Sequence, residues 1–116
     1  MDNINANIEI KKDGTPVTTA DKKADILICN KLTKTFSNIP ILSEERKIPL
    51  DCYGNNLHWI IDPLDGTKSF IEGGTDFAVC ISLVYNRRPI LGCIAHPPSL
   101  DTWIGGKIIG SFKYTN

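Results

Sequence analysis

The sequence carries little that would commit it to a polymer or a membrane. Its 13 basic and 13 acidic residues cancel, so no charge excess points to nucleic acid or an anionic lipid surface. A small anionic substrate stays open, because a site needs local rather than global charge. No apolar run approaches the roughly 18 residues of a membrane helix. The opening "MDNINANIEI" lacks the basic and apolar regions of a secretory signal. The four cysteines, Cys29, Cys52, Cys80 and Cys93, form no C-x-x-C pair and have no histidine at zinc-finger spacing. They read as small buried hydrophobes in a reducing compartment, and the chain is expected to be cytoplasmic. Repeats, low-complexity tracts and linkers are absent. The 116 residues suffice for one domain that buries about two-thirds of its unfolded surface.

What is present alternates between turn chemistry and short apolar segments. "IEIKK" (8–12) reads as a strand and "DGTP" (13–16) as a turn. "TTADKKADILICNKLTKTF" (18–36) reads as a helix capped by Thr18, with Asp21 placed for a capping box. Ala24, Leu27, Ile28, Leu32 and Phe36 would form its buried face. "PILSEE" (40–45) is apolar and ends in two carboxylates, and "LHWII" (57–61) is a strongly apolar strand. "GTKSFIEGG" (66–74) predicts a short helix ended by glycines. "FAVCISLVY" (77–85), apolar on both faces, predicts a central strand that turns at "NRRP" into "PILGCIAH" (89–96). "DTWIG" and "KIIGSFKY" suggest a last hairpin turning at Gly105-Gly106. The sum is an α+β fold, a mainly antiparallel sheet of five or six strands packed on helix.

Three acidic clusters fall at the ends of these elements. In Asp62-Pro63-Leu64-Asp65, the proline keeps Asp62 extended and bends the chain. Both carboxylates could face one point with the Leu64 carbonyl between them, an oxygen set suited to Mg²⁺. Gly66-Thr67 would then open a helix whose first amides bind a phosphate. Asp before Pro with Gly close behind is also ordinary turn chemistry, and both readings stand on four residues alone. Ser43-Glu44-Glu45 is either a solvated loop edge or a ligand-bearing strand end. Thr18-Thr19-Ala20-Asp21 is a helix cap whose aspartate could also accept a hydrogen bond from Thr67, orienting a water.

Taken in order, "DGTPVTTAD", "PILSEE", "WIIDPLDGTKSF" and "RPILG" resemble the inositol monophosphatase superfamily of Mg²⁺-dependent, Li⁺-sensitive phosphatases. "DPLDGT" is the most diagnostic part. The resemblance implies that Glu44, Asp62 and the Leu64 carbonyl bind one metal, and Asp62 with Asp65 a second. Thr67, paired with Asp21, would orient the attacking water. Gly66, Thr67 and Lys68 would contact the substrate. "PILSEE" and "DPLDGTK" are most similar to 3′(2′),5′-bisphosphate nucleotidases, which take the 3′-phosphate from adenosine 3′,5′-bisphosphate. Histidinol-phosphate and inositol-phosphate phosphatases are the alternatives. The implied architecture is the first half of a layered αβαβα fold.

The sequence departs from that pattern by what it omits. No W-D-x-A-type motif is present, nor a helix before "IEIKKDGTP". Residues 1–116 are therefore expected to form a partial domain lacking its second domain, with low or no activity alone. Its apolar sheet face would seek the missing half or another copy. His58 and His96 read as strand-end residues, since Mg²⁺ prefers oxygen. Arg87 and Arg88 read as an exposed turn, and Trp59 and Trp103 as core or rim. Lys68 could meet a substrate phosphate or pair with a ligand carboxylate.

Overall fold

The computed structural model describes residues 8–10, 16–46 and 57–115. The expectations for residues 1–6, 11–15 and 47–56, Cys52 among them, lie outside the described residues. In chain order the elements are β1 (Ile8–Ile10), β2 (Pro16–Thr18), α1 (Thr19–Thr35), β3 (Ile41–Ser43), β4 (His58–Asp65), α2 (Thr67–Ile71), β5 (Ala78–Tyr85), β6 (Arg88–His96), β7 (Asp101–Gly106) and β8 (Gly110–Thr115). β1 and β2 pair antiparallel as a small ribbon. The other six strands form one sheet in sequence order, β3 to β8, in which only the β3–β4 pair is parallel. β5 lies inside the sheet, as its two apolar faces predict. No described helix is long and apolar enough to cross a membrane.

α1 begins as its sequence predicts. Thr18 is extended at φ −110°, ψ 168°, and a complete capping box with Asp21 closes the first turn. The buried face, however, is rotated from the expected one. Asp21, Asp25 and Cys29, spaced four apart, are its buried residues. Ile28 and Leu32 are half-buried, whereas Leu27 is 71% exposed. Apolar periodicity could not place this face, because carboxylates enter a protein interior only where donors await them. Phe36, just past the helix, is partly exposed and sets its ring 5.6 Å from that of Trp59.

The core lies between α1 and the β3–β4–β5 part of the sheet. Cys29, Trp59 and Ile61 are buried there, with Ile28, Leu32, Ile39, Ile41, Ile81 and Leu83 packed around them. Trp59 thus lies in the core, while Trp103 is partly exposed with the Lys113 ammonium 5.5 Å from its ring. Ile60, Ile94, Trp103 and Phe112 remain exposed on the sheet. The three described cysteines are free thiols.

Two hairpins show how turn chemistry sets register. β5 passes to β6 through Asn86 and Arg87, both at positive φ (51° and 63°), the geometry of a two-residue hairpin turn. β7 and β8 do not turn at Gly105-Gly106. β7 continues to Gly106, residues 107–109 make the turn, and Gly110 opens β8 at φ 79°. A Cβ at Gly106 would stand 2.7 Å from the Ile90 carbonyl oxygen. That glycine allows a close approach to β6, and the left-handed position falls on Gly110 instead.

Candidate active site

The parallel pairing of β3 and β4 assembles the acidic clusters. Parallel strands end at the same edge of a sheet, where α/β folds commonly place ligands. The register sets Ser43 beside Ile61, and the Glu44 amide donates to the Ile61 carbonyl at 3.2 Å. Glu44 is therefore carried next to Asp62. Ser43 is buried and Glu44 exposed, so the strand end delivers its carboxylate to the surface.

β4 then bends. Asp62 pairs with Cys80 and Asp65 with Ala78, which leaves Pro63 and Leu64 opposite Val79 alone. This is a bulge, and Pro63 suits it because proline donates nothing to the ladder. Pro63 and Leu64 are buried, while Asp62 and Asp65 remain accessible. Gly66 follows at φ 87°, and a Cβ on it would come within 2.2 Å of the Asp76 carbonyl oxygen. Both its conformation and its close contact require glycine. The chain can then enter α2, whose N-terminus no side chain caps and whose C-cap is Glu72, before Gly73 at φ 77°. The short helix expected for 66–74 is present.

Asp21 joins the two ends of the site. Its Oδ2 accepts from the Thr18 amide at 2.8 Å and the Thr18 hydroxyl at 2.5 Å. Its Oδ1 accepts from the Thr67 hydroxyl at 2.9 Å. Asp21 thus closes the α1 cap through one oxygen and meets the Thr67 hydroxyl through the other. The same hydroxyl lies 3.1 Å from the Leu64 carbonyl oxygen. Asp21 is 1% exposed, so its side of the pair is shielded from water.

Electrostatics mark Asp62. Burial first, then the charges of Asp65, Glu44 and Glu45, push its carboxyl up to about 6, against a downward pull from the Leu64 amide. Such hard oxygens, repelling one another at one edge, have the chemistry of a divalent-cation donor set. Among the described residues, no three His, Cys, Asp or Glu side chains close into a group able to hold a metal ion. The carboxylates among the described residues line an edge and do not enclose a cation.

The remaining expected residues divide. Lys68 is exposed and makes no ion pair among the described residues. His96, closing β6, is hydrogen-bonded to Ser99 and to the Thr75 carbonyl, and buried His58 opens β4. Arg87 and Arg88 are exposed at the turn. The sequence reading does not single out Asp25 and Arg46, which the structure pairs. Asp25 accepts from Ser43 Oγ, from Cys29 Sγ at 3.4 Å, and from Arg46 Nε at 2.6 Å. The available signal was its spacing of four from Asp21, which puts both carboxylates on one helix face.

The model of the inositol monophosphatase family matches residues 2–115. The chain is 40% identical over 109 residues to the 3′(2′),5′-bisphosphate nucleotidase CysQ of Haemophilus influenzae, covering 92% of this chain and 40% of that protein. It is 37% identical over 95 residues to the bifunctional phosphatase IMPL2 of Arabidopsis thaliana, covering 82% and 28% respectively. The extragenic suppressor protein suhB of Bartonella henselae superposes with a TM-score of 0.85 at 30% identity, over 94% of this chain and 42% of that one. The chain thus spans less than half the length of these relatives. With nearly every residue inside the family match and the α+β sugar-phosphatase fold in place, this chain belongs to the inositol monophosphatase family.

Proposed function

We propose that the chain carries the metal- and phosphate-handling part of a Mg²⁺-dependent phosphomonoesterase, acting on the 3′-phosphate of adenosine 3′,5′-bisphosphate in the cytoplasm. The observation that carries this reading is the 2.9 Å bond from Thr67 to Asp21, made across 46 residues beside the Asp62–Asp65 bulge. The identity to bisphosphate nucleotidases supports the substrate. Glu44, Asp62 and the Leu64 carbonyl would hold one cation, and Asp62 with Asp65 a second. Mg²⁺ bound there would supply Lewis-acid polarisation of the phosphoryl group and would lower the pKa of water.

The residues of the chain then position the reactants. When Thr67 donates its proton to Asp21, its oxygen lone pairs are left to accept from a water and aim it at phosphorus. Asp21, tied to the α1 cap, fixes the Thr67 rotamer. The Gly66 and Thr67 amides would receive phosphate oxygens, and Lys68 would add an exposed positive charge. The water oxygen bonds to phosphorus, the ester P–O bond breaks, and one proton of that water ends on the leaving oxygen. No residue of the chain is acylated or phosphorylated.

A second reading rests on the open carboxylate edge. The 1–116 unit would be a partial domain, silent until another segment or a second copy adds a ligand. Mg²⁺-dependent phosphate release separates the two, with adenosine 3′,5′-bisphosphate, histidinol phosphate and inositol 1-phosphate as substrates. The first reading expects release from the bisphosphate, reduced at least a hundredfold in Asp62→Asn. Preference for another substrate overturns the nucleotide assignment. No release from the folded chain favours the silent domain.

A further inference from the structure

The site described above uses one carboxylate of α1, Asp21. A second, Asp25, lies one turn further along the same buried face and is 4% exposed. An apolar side chain would pack there at no desolvation cost, so a buried carboxylate needs a reason. Its partners supply one. Ser43 donates to Oδ1 and Arg46 to Oδ2. These two residues bracket Glu44 and Glu45.

The four-residue segment is a tight turn. The Arg46 amide donates to the Ser43 carbonyl at 3.1 Å, and the Glu45 amide to Ser43 Oγ at 3.2 Å. The Glu44 amide is tied to Ile61 on β4. The turn is thus gripped at both ends by one carboxylate of α1 and in the middle by the neighbouring strand. Glu44, the more exposed of the two glutamates, is carried on this fixed turn.

We propose that Asp25 is a positioning residue for Glu44: by holding Ser43 and Arg46 it keeps the Glu44 carboxylate beside Asp62. The consequence for cation binding rests on the metal reading above; the structural role does not. Removing a group that orients a metal ligand weakens metal affinity by roughly 10–100-fold in other proteins.

Two readouts on the whole chain test this. Without metal, amide hydrogen exchange at Glu44 and Glu45 should accelerate at least tenfold in Asp25→Asn, while the Trp59 amide, bonded to Pro40, keeps its rate. In a Mn²⁺ titration, the same variant should bind about tenfold more weakly or worse. Leu32→Ala weakens α1 without touching the turn and should leave both readouts in place. Unchanged exchange at Glu44 and Glu45 in Asp25→Asn, or equal acceleration in Leu32→Ala, overturns the proposal. If Asp25→Asn does not fold, Arg46→Gln carries the test. Its side chain is exposed, exchange at Glu45 should rise severalfold, and an unchanged rate overturns the proposal. A parent chain that binds no Mn²⁺ sinks the metal reading alone, and exchange still decides the role of Asp25.

Discussion

The carboxyl edge of β3 and β4 and the β7–β8 hairpin are both made from short apolar stretches punctuated by polar residues. At the first, Ile61 is fully buried, and so, nearly, are the polar Asp21, Asp25 and Ser43. At the second, every residue of β8 is exposed, and Ile108 in the turn is 97% exposed. The difference is the layer above. α1 packs on β4, while β8 has β7 as its one strand neighbour among the described residues. A second layer excludes water, and only then do buried hydroxyls and carboxylates hold one another in a fixed arrangement. The chemistry is therefore expected where helix and strand meet, not where apolar residues are most numerous.

Substitutions in the two regions should part by large margins. Ile61→Ala should lower stability by about 3 kcal/mol or more in urea unfolding, because it opens a cavity under α1. A loss below about 1 kcal/mol would mean that the helix is not seated on β4. The glycines make a closer pair. Gly66 and Gly110 both have positive φ (87° and 79°), but only Gly66 has a backbone oxygen in the way of a Cβ. Gly66→Ala should cost about 2–3 kcal/mol and Gly110→Ala about 1 kcal/mol. Equal losses would erase the distinction between strain and crowding.

Acid titration should separate the regions more gently. Burial pushes the Asp25 carboxyl up, but hydrogen bonds from Ser43, Arg46 and Cys29, with the Arg46 charge, outweigh it and hold the group below its ordinary value. A carboxyl that titrates lower when folded adds stability above its unfolded value, lost as pH falls through the folded one. Asp25→Asn should therefore flatten the stability curve below about pH 4, where the parent declines. A parallel decline in the variant would remove Asp25 from the acid response. Smallest of all, Ile108→Ser should change stability by no more than about 0.5 kcal/mol. A larger loss would show that the hairpin tip is covered in solution.

Much of the site could be read from neighbours along the chain. The Thr18–Asp21 box, the glycine after the Asp62–Asp65 motif and the short α2 follow from rules spanning a few residues. Capping, left-handed turns and proline's missing N–H act over that distance. The placement of Glu44 beside Asp62 is of another kind. It needs β3 to lie parallel to β4, a pairing that apolar pattern alone does not specify. The inward turn of Asp25 and the outward turn of Leu27 likewise depend on partners 18 and more residues away, Ser43 and Arg46. The Gly105-Gly106 pair has the composition of a turn, but β6 passes 2.7 Å from where a Cβ on Gly106 would stand. Local rules set the element types; register, facing and contact follow from which surfaces exclude water together, which the chain settles only when it is folded.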